Sequence, residues 1–174
     1  EEKGVIEKMR EEGGFWKKPI KNFKNNWFFS SNETKPKVLL PEKKNLINED
    51  FTKSSNNIKF VWLGHASLMI SINDKIILTD PVFSKSASPF SWFIKRYQDP
   101  VYTLDELPHV DFILISHDHY DHLDIKTIKY FINKNTKFIV PLGISSHLLE
   151  WGVPNNKIIE LDWWDKIIIE DLDF

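Results

Sequence analysis

Hydrophobic and polar positions follow different rules in the two parts of this chain. Up to about residue 57 the aromatic and apolar residues recur with no sustained period, among lysines, asparagines and prolines, so residues 1–57 read as an irregular arm with short elements. From Ile58 the pattern becomes regular. "IKFVWLG" reads as a strand stopping at Gly64, "SLMISI" as a second and "KIILTD" as a third. The residues around Asn73 and Asp74 supply a turn, so the second and third strands should form a hairpin. "DFILIS" is a nearly unbroken apolar run, the signature of a strand buried on both faces. In "DIKTIKYFINK", residues Ile125, Ile128, Phe131 and Ile132 share one helical face, and Asp124 is the N-cap. "KFIV" is another buried strand. "SSHLLEWG" suits a short helix ended by Gly152, and "KIIEL" and "KIIIE" are short strands around "DWWD". Strands come first, then strand, helix, strand, helix, strand. That order predicts an α/β layered domain over residues 58–174.

Composition narrows the class. With 174 residues, 41% hydrophobic and 14% aromatic, the chain can bury a core of its own. A net charge of -2 gives no general case for nucleic-acid binding. The absence of cysteine rules out disulfides and thiolate metal sites, so any metal must rest on histidines and carboxylates. No apolar run reaches the length of a membrane span, and no signal peptide is visible. The expectation is a cytoplasmic protein. The first residue is Glu1, which suggests a processed or partial chain.

The chemistry concentrates in "ISHDHYDHLD", Ile115 to Asp124, which holds three of the six histidines and three aspartates. It directly follows a buried strand, where α/β proteins build their sites. An extended backbone from His117 to His119 places those two imidazoles on one face, able to converge on one ion. As the chain turns into the next helix, Asp121 and His122 can address a second position beside it. Imidazole and carboxylate ligands suit Zn²⁺, with Fe or Mn also compatible. Two neighbouring ions lower the pKa of a shared water and polarise a phosphoryl or carbonyl oxygen. Asp118 and Tyr120 alternate with these residues and should face away as packing or supporting residues.

"SHDHYDHLD" resembles the H-x-H-x-D-H signature of the metallo-β-lactamase fold superfamily. The phrases "VWLGHASLMI", "ILTDPVFS", "VPLG" and "ELDWWD" are similar to the branch of N-acylphosphatidylethanolamine-hydrolysing phospholipases D. The resemblance implies an αββα sandwich with two zinc ions. It places His117 and His119 on the first, Asp121 and His122 on the second, and gives Asp121 the task of orienting or deprotonating the attacking water. It also implies a further histidine, a bridging aspartate and a last histidine downstream. After His122 only His147 remains, read here as an ordinary helix residue. The chain therefore corresponds to the first half of the sandwich, with four of roughly seven ligands, and by itself should be catalytically impaired. A second chain completing the domain would remedy that.

Other residues carry weaker signals. Asp80, closing the third strand, is expected to hydrogen-bond a ligand imidazole. His65 is either a donor beside the metals or a turn residue. Trp163 and Trp164 are expected in the core. The loop from Ser84 to Pro100, with Phe90, Trp92, Phe93, Lys95, Arg96 and Tyr97, either grips an acyl chain and a phosphate or packs as a surface loop. The arm's Phe15, Trp16, Trp27 and lysines are compatible with contact at an anionic membrane surface, although wrapping the domain is preferred. The functional expectation is a zinc-dependent phosphodiesterase acting on phospholipids such as N-acylphosphatidylethanolamine, or another small phosphodiester. The alternatives are a non-catalytic remnant with weak metal binding and a lactonase-type hydrolase.

Overall fold

The computed structural model describes residues 37–53, 57–86 and 96–174. Most of the N-terminal arm, with Phe15, Trp16 and Trp27, and the loop residues Phe90, Trp92, Phe93 and Lys95 lie outside the described residues. Residues Pro41–Phe174 form one compact unit.

That unit begins with one helical turn, α1 (Glu49–Thr52), capped by Asn48, whose side chain accepts from the Phe51 N–H. Phe51 is buried in the main core. Strands β1 (Lys59–Gly64), β2 (Ser67–Ile72) and β3 (Lys75–Thr79) follow as antiparallel neighbours. The β2–β3 hairpin turns through Asn73 and Asp74, both with positive φ (48° and 61°). Those dihedrals belong to the tight turn whose twist matches paired strands, and Asn and Asp adopt them at low cost. After a 3₁₀ turn (Leu104–Glu106) come β4 (Phe112–Leu114), α2 (Ile125–Phe131), β5 (Lys137–Pro141), α3 (Ile144–Glu150) and β6 (Ile158–Leu161). The six strands lie in chain order in one sheet, and every pair from β3 to β6 is parallel. The parallel register sets the carboxyl ends of β3, β4 and β5 side by side, which is what gathers the site.

The central strands are buried on both faces, as their unbroken apolar runs predict. On one face Met69, Leu78, Ile113 and Phe138 pack with Ile128 and Phe131 of α2 and Leu148 of α3. On the other, Ile77, Phe112 and Ile139 meet Leu172 and Phe174 from a small hairpin, β7 (Ile168–Ile169) and β8 (Leu172–Asp173). That cover is partial, and Phe60 and Trp62 of β1 stay 70% and 55% exposed on the strand side opposite Val61 and Leu63. Among the described residues no helix is long and apolar enough to cross a membrane.

Helices α2 and α3 obey their sequence signals at the start and the end respectively. The Asp124 side chain accepts from the Lys126 N–H at the start of α2. At the end of α3, Gly152 takes φ 96°, its N–H bonds to Leu149 O and that of Val153 to Leu148 O, the paired closure glycine permits.

Two expectations are corrected. Ile125 is exposed and Thr127 is fully buried, because Thr127 Oγ1 donates to the capping carboxylate of Asp124 at 2.7 Å and so is drawn inward. Trp163 and Trp164 are not core residues. They stand 87% and 93% exposed. "DWWD" folds as a turn fastened at its base, where the Asp162 N–H donates to Asp165 Oδ2 at 2.9 Å and the Asp165 N–H to Asp162 O at 3.1 Å. The indoles are left at its tip.

Candidate metal centre

The site starts from backbone. β3 ends at Thr79, and Asp80 takes φ 38°, a left-handed conformation that L-residues adopt at a cost. Its N–H donates to Leu114 O at 2.8 Å and its carbonyl accepts the Ser67 hydroxyl at 2.7 Å. Held from both sides, the Asp80 carboxylate points along the sheet to the end of β4. There Oδ1 accepts the Ser116 N–H at 2.7 Å, and Oδ2 accepts the Ser116 hydroxyl at 2.7 Å and Nδ1 of His122 at 2.9 Å. The expected bond between Asp80 and an imidazole is therefore present, and its donor is His122.

After Ser116 the chain leaves the sheet and doubles back. The N–H groups of His122 and Leu123 both donate to His119 O, at 2.9 and 2.8 Å, and buried Leu123 anchors the turn. The turn packs three imidazoles together. The ring centre of His117 lies 4.6 Å from that of His119 and 4.0 Å from that of His122. From the β1–β2 turn, His65 (φ 49°) reaches across, its ring 5.2 Å from that of His122 and its Nε2 2.9 Å from Asp121 Oδ2. Nε2 of His122 is 3.7 Å from the same oxygen. His65, Asp121 and His122 each offer one ligand atom, all within 4.8 Å of one another. Partial burial acts to raise the Asp121 carboxyl pKa, but its own backbone N–H and the flanking His122 and His65 outweigh it, and the net direction is down.

This donor set fits a divalent cation. Imidazole nitrogens and a carboxylate held ionised are the ligands such ions take without thiolates. With Nδ1 of His122 committed to Asp80, its Nε2 is left to face the cluster.

The surroundings differ from expectation in one respect. Asp118 and Tyr120 do not turn away into packing. With His119, Asp121, Leu123, Trp151 and His147 they line a cavity of about 410 Å³, because the doubled-back loop presents both flanks to solvent. His147 is a half-exposed residue of α3, as read from the sequence. It faces that cavity, with Nε2 4.0 Å from Asp118 Oδ2. Its only hint in the sequence is its position on the helix after β5, beside the site loop. Ser116 was missed altogether, since one serine at a strand end carries no local signal. Arg96 turns its guanidinium to the carbonyl of Val82, and burial lowers its pKa. A second cavity, of about 420 Å³, runs from Ser116 along the ends of β4 to β6 to Trp163 and Trp164.

The sequence model of a beta-lactamase superfamily domain matches residues 75–174. An uncharacterised protein of Mycobacterium tuberculosis is 42% identical over 113 residues, 64% of this chain and 30% of that protein. N-acyl-phosphatidylethanolamine-hydrolyzing phospholipase D 1 of Caenorhabditis elegans is 38% identical over 129 residues, 70% of this chain and 36% of that protein. The chain thus spans 30% and 36% of the length of these curated relatives. Among solved structures, isothiocyanate hydrolase from Delia radicum gut bacteria shares the fold with a TM-score of 0.52 at 18% identity, over 64% of this chain and 44% of that one. The match to residues 75–174, more than half the sequence, shows that the chain belongs to the beta-lactamase superfamily.

Proposed function

We propose that this chain carries the metal-binding loop of a divalent-metal-dependent hydrolase, with zinc as the metal and a phosphodiester as the substrate. The observation that carries the reading is the packing of the His117, His119 and His122 rings in one turn, beside the set of His65, Asp121 and His122 whose ligand atoms lie within 4.8 Å of one another, with His122 fixed by Asp80. In this reading His117 and His119 hold one ion and Asp121 and His122 a second. Bound divalent ions supply Lewis acidity and lower the pKa of water. The protein's own part is to orient and to exclude. Asp80 fixes the His122 ring, His65 holds the Asp121 carboxylate in place, and Asp121 aligns the attacking water. Asp118, Tyr120, His147 and Trp151 form the wall against which a substrate lies.

The similarity to the Caenorhabditis elegans phospholipase D supports a lipid-type substrate such as N-acylphosphatidylethanolamine. A cytoplasmic protein working at a membrane surface suits that substrate. The loop alone offers fewer ligands than a closed site, and a second chain that adds ligands to the set would tighten metal binding.

The test is zinc titration of the purified chain by calorimetry, followed by assays on N-acylphosphatidylethanolamine, a simple phosphodiester and a lactone. Zinc uptake that disappears in a His117→Ala, His119→Ala double variant supports the reading, as does turnover of a phosphodiester but not the lactone. Zinc uptake indifferent to the double variant refutes it.

A further inference from the structure

Ser116 joins His117 to the carboxylate that His122 meets directly, and the directions of its hydrogen bonds follow from counting protons. Its hydroxyl oxygen lies 2.7 Å from Asp80 Oδ2 and 2.9 Å from Nδ1 of His117. A hydroxyl has one proton to give, and a carboxylate can only accept. The Ser116 proton therefore points at Asp80, and the hydroxyl meets His117 with a lone pair. Nδ1 of His117 must then be the protonated nitrogen, and Nε2 carries the free pair. His122 reaches the same state directly, since its Nδ1 lies 2.9 Å from the same carboxylate oxygen.

We propose that Ser116 is a positioning residue that relays Asp80 to His117, so that one buried carboxylate sets the same tautomer in two imidazoles. The relay rests on the reading of His117 and His122 as metal ligands for its purpose, though not for its chemistry. Both rings are delivered with Nε2 unprotonated, so an arriving cation need displace no proton and reorient no ring. The frame is rigid enough to impose this. Asp80 is 8% exposed and its backbone is pinned through Leu114 and Ser67. The Ser116 N–H bond to Oδ1 fixes the carboxylate plane, so the hydroxyl meets Oδ2 in one geometry.

Removing a group that orients a metal ligand typically weakens metal binding by about 10–100-fold. The decisive readout is made without metal. Long-range ¹H–¹⁵N NMR of the zinc-free chain, at a pH where the imidazoles are neutral, reports which ring nitrogen bears the proton. The relay requires Nδ1–H in both His117 and His122. In Ser116→Ala, His117 shifts toward the Nε2–H form while His122, still bonded to Asp80, stays as it was. Ser116→Thr keeps the hydroxyl and restores His117. Zinc affinity follows the same order, falling roughly tenfold or more in Ser116→Ala and recovering in Ser116→Thr. A wild-type His117 already protonated on Nε2 overturns the relay, and so does a Ser116→Ala spectrum in which His117 does not move. If Ser116→Ala fails to fold, the wild-type and Ser116→Thr spectra decide the matter. A chain that shows these tautomers but takes up no zinc leaves the relay standing and defeats the metal reading.

Discussion

Nε2 of His65 lies 2.9 Å from Oδ2 of Asp121, and 56 positions separate the two residues. The contact depends on a turn that few residues can make, with Gly64 at φ 107° and His65 at φ 49°. A side chain at position 64 would also crowd the Arg96 guanidinium, at 3.2 Å from its Cβ. Both partners are about half exposed, so the pair adds little to folding. His65→Ala should leave the unfolding free energy from urea titration within about 0.5 kcal/mol of wild type. It should weaken zinc binding roughly tenfold, because Asp121 loses the group that orients it. Calorimetry beside chemical denaturation separates the two effects.

Asp80 combines an unfavourable backbone with a side chain that accepts three hydrogen bonds. Asp80→Ala removes the acceptor of Ser116 N–H, Ser116 O–H and His122 Nδ1–H while keeping a Cβ at φ 38°. Leaving such donors without a partner costs about 1–3 kcal/mol. Asp80→Gly removes the same acceptor but relieves the backbone, so it should be more stable than Asp80→Ala by about 1 kcal/mol. Urea denaturation of the two variants measures the difference, and equal midpoints would contradict the strain argument.

Glu160 ties β6 to the start of α3, accepting the Gly143 N–H at 2.7 Å and the Ser145 N–H at 3.0 Å. Its bonds to Ser145 foremost, and to Gly143, hold its carboxyl below the ordinary value of 4.5. A depressed folded-state pKa means a contribution present above the unfolded value and lost as pH falls through the folded one. Thermal stability should therefore decline below pH 4.5 more steeply in wild type than in Glu160→Gln, which keeps the oxygen but not the charge. Melting curves from pH 6 to 3 test this, with parallel declines as the adverse result.

Trp163 and Trp164 lie on the surface at the tip of the "DWWD" turn. Replacing both with serine should change stability by less than about 0.5 kcal/mol, since nothing in the core loses a contact. The same change should reduce binding of a hydrophobic dye, because it removes a large part of an exposed apolar patch. A large loss of stability on urea titration would place the indoles in the core after all.

Much of this architecture is written locally. The alternating and continuous apolar runs of β1 to β5, the Asn73–Asp74 turn, the Asp124 cap and the Gly152 stop each depend on side chains within a few positions, so the chain alone specifies them. The H-x-H-x-D-H loop is legible for the same reason, being dense and contiguous. Other features were settled by contacts between residues far apart in the chain. Asp80 could be nominated from its strand end, but its choice of His122 across 42 positions came from the parallel pairing of β3 with β4. Ser116 acquired its role only because that pairing puts its hydroxyl between a carboxylate and a ring. His147 entered the cavity wall when α3 came to rest beside the loop, and the tryptophans were turned outward by two aspartates closing a turn. Periodicity and capping are short-range properties that a sequence states directly. Which polar group meets which across a sheet is fixed by register, and register exists only once the strands have paired.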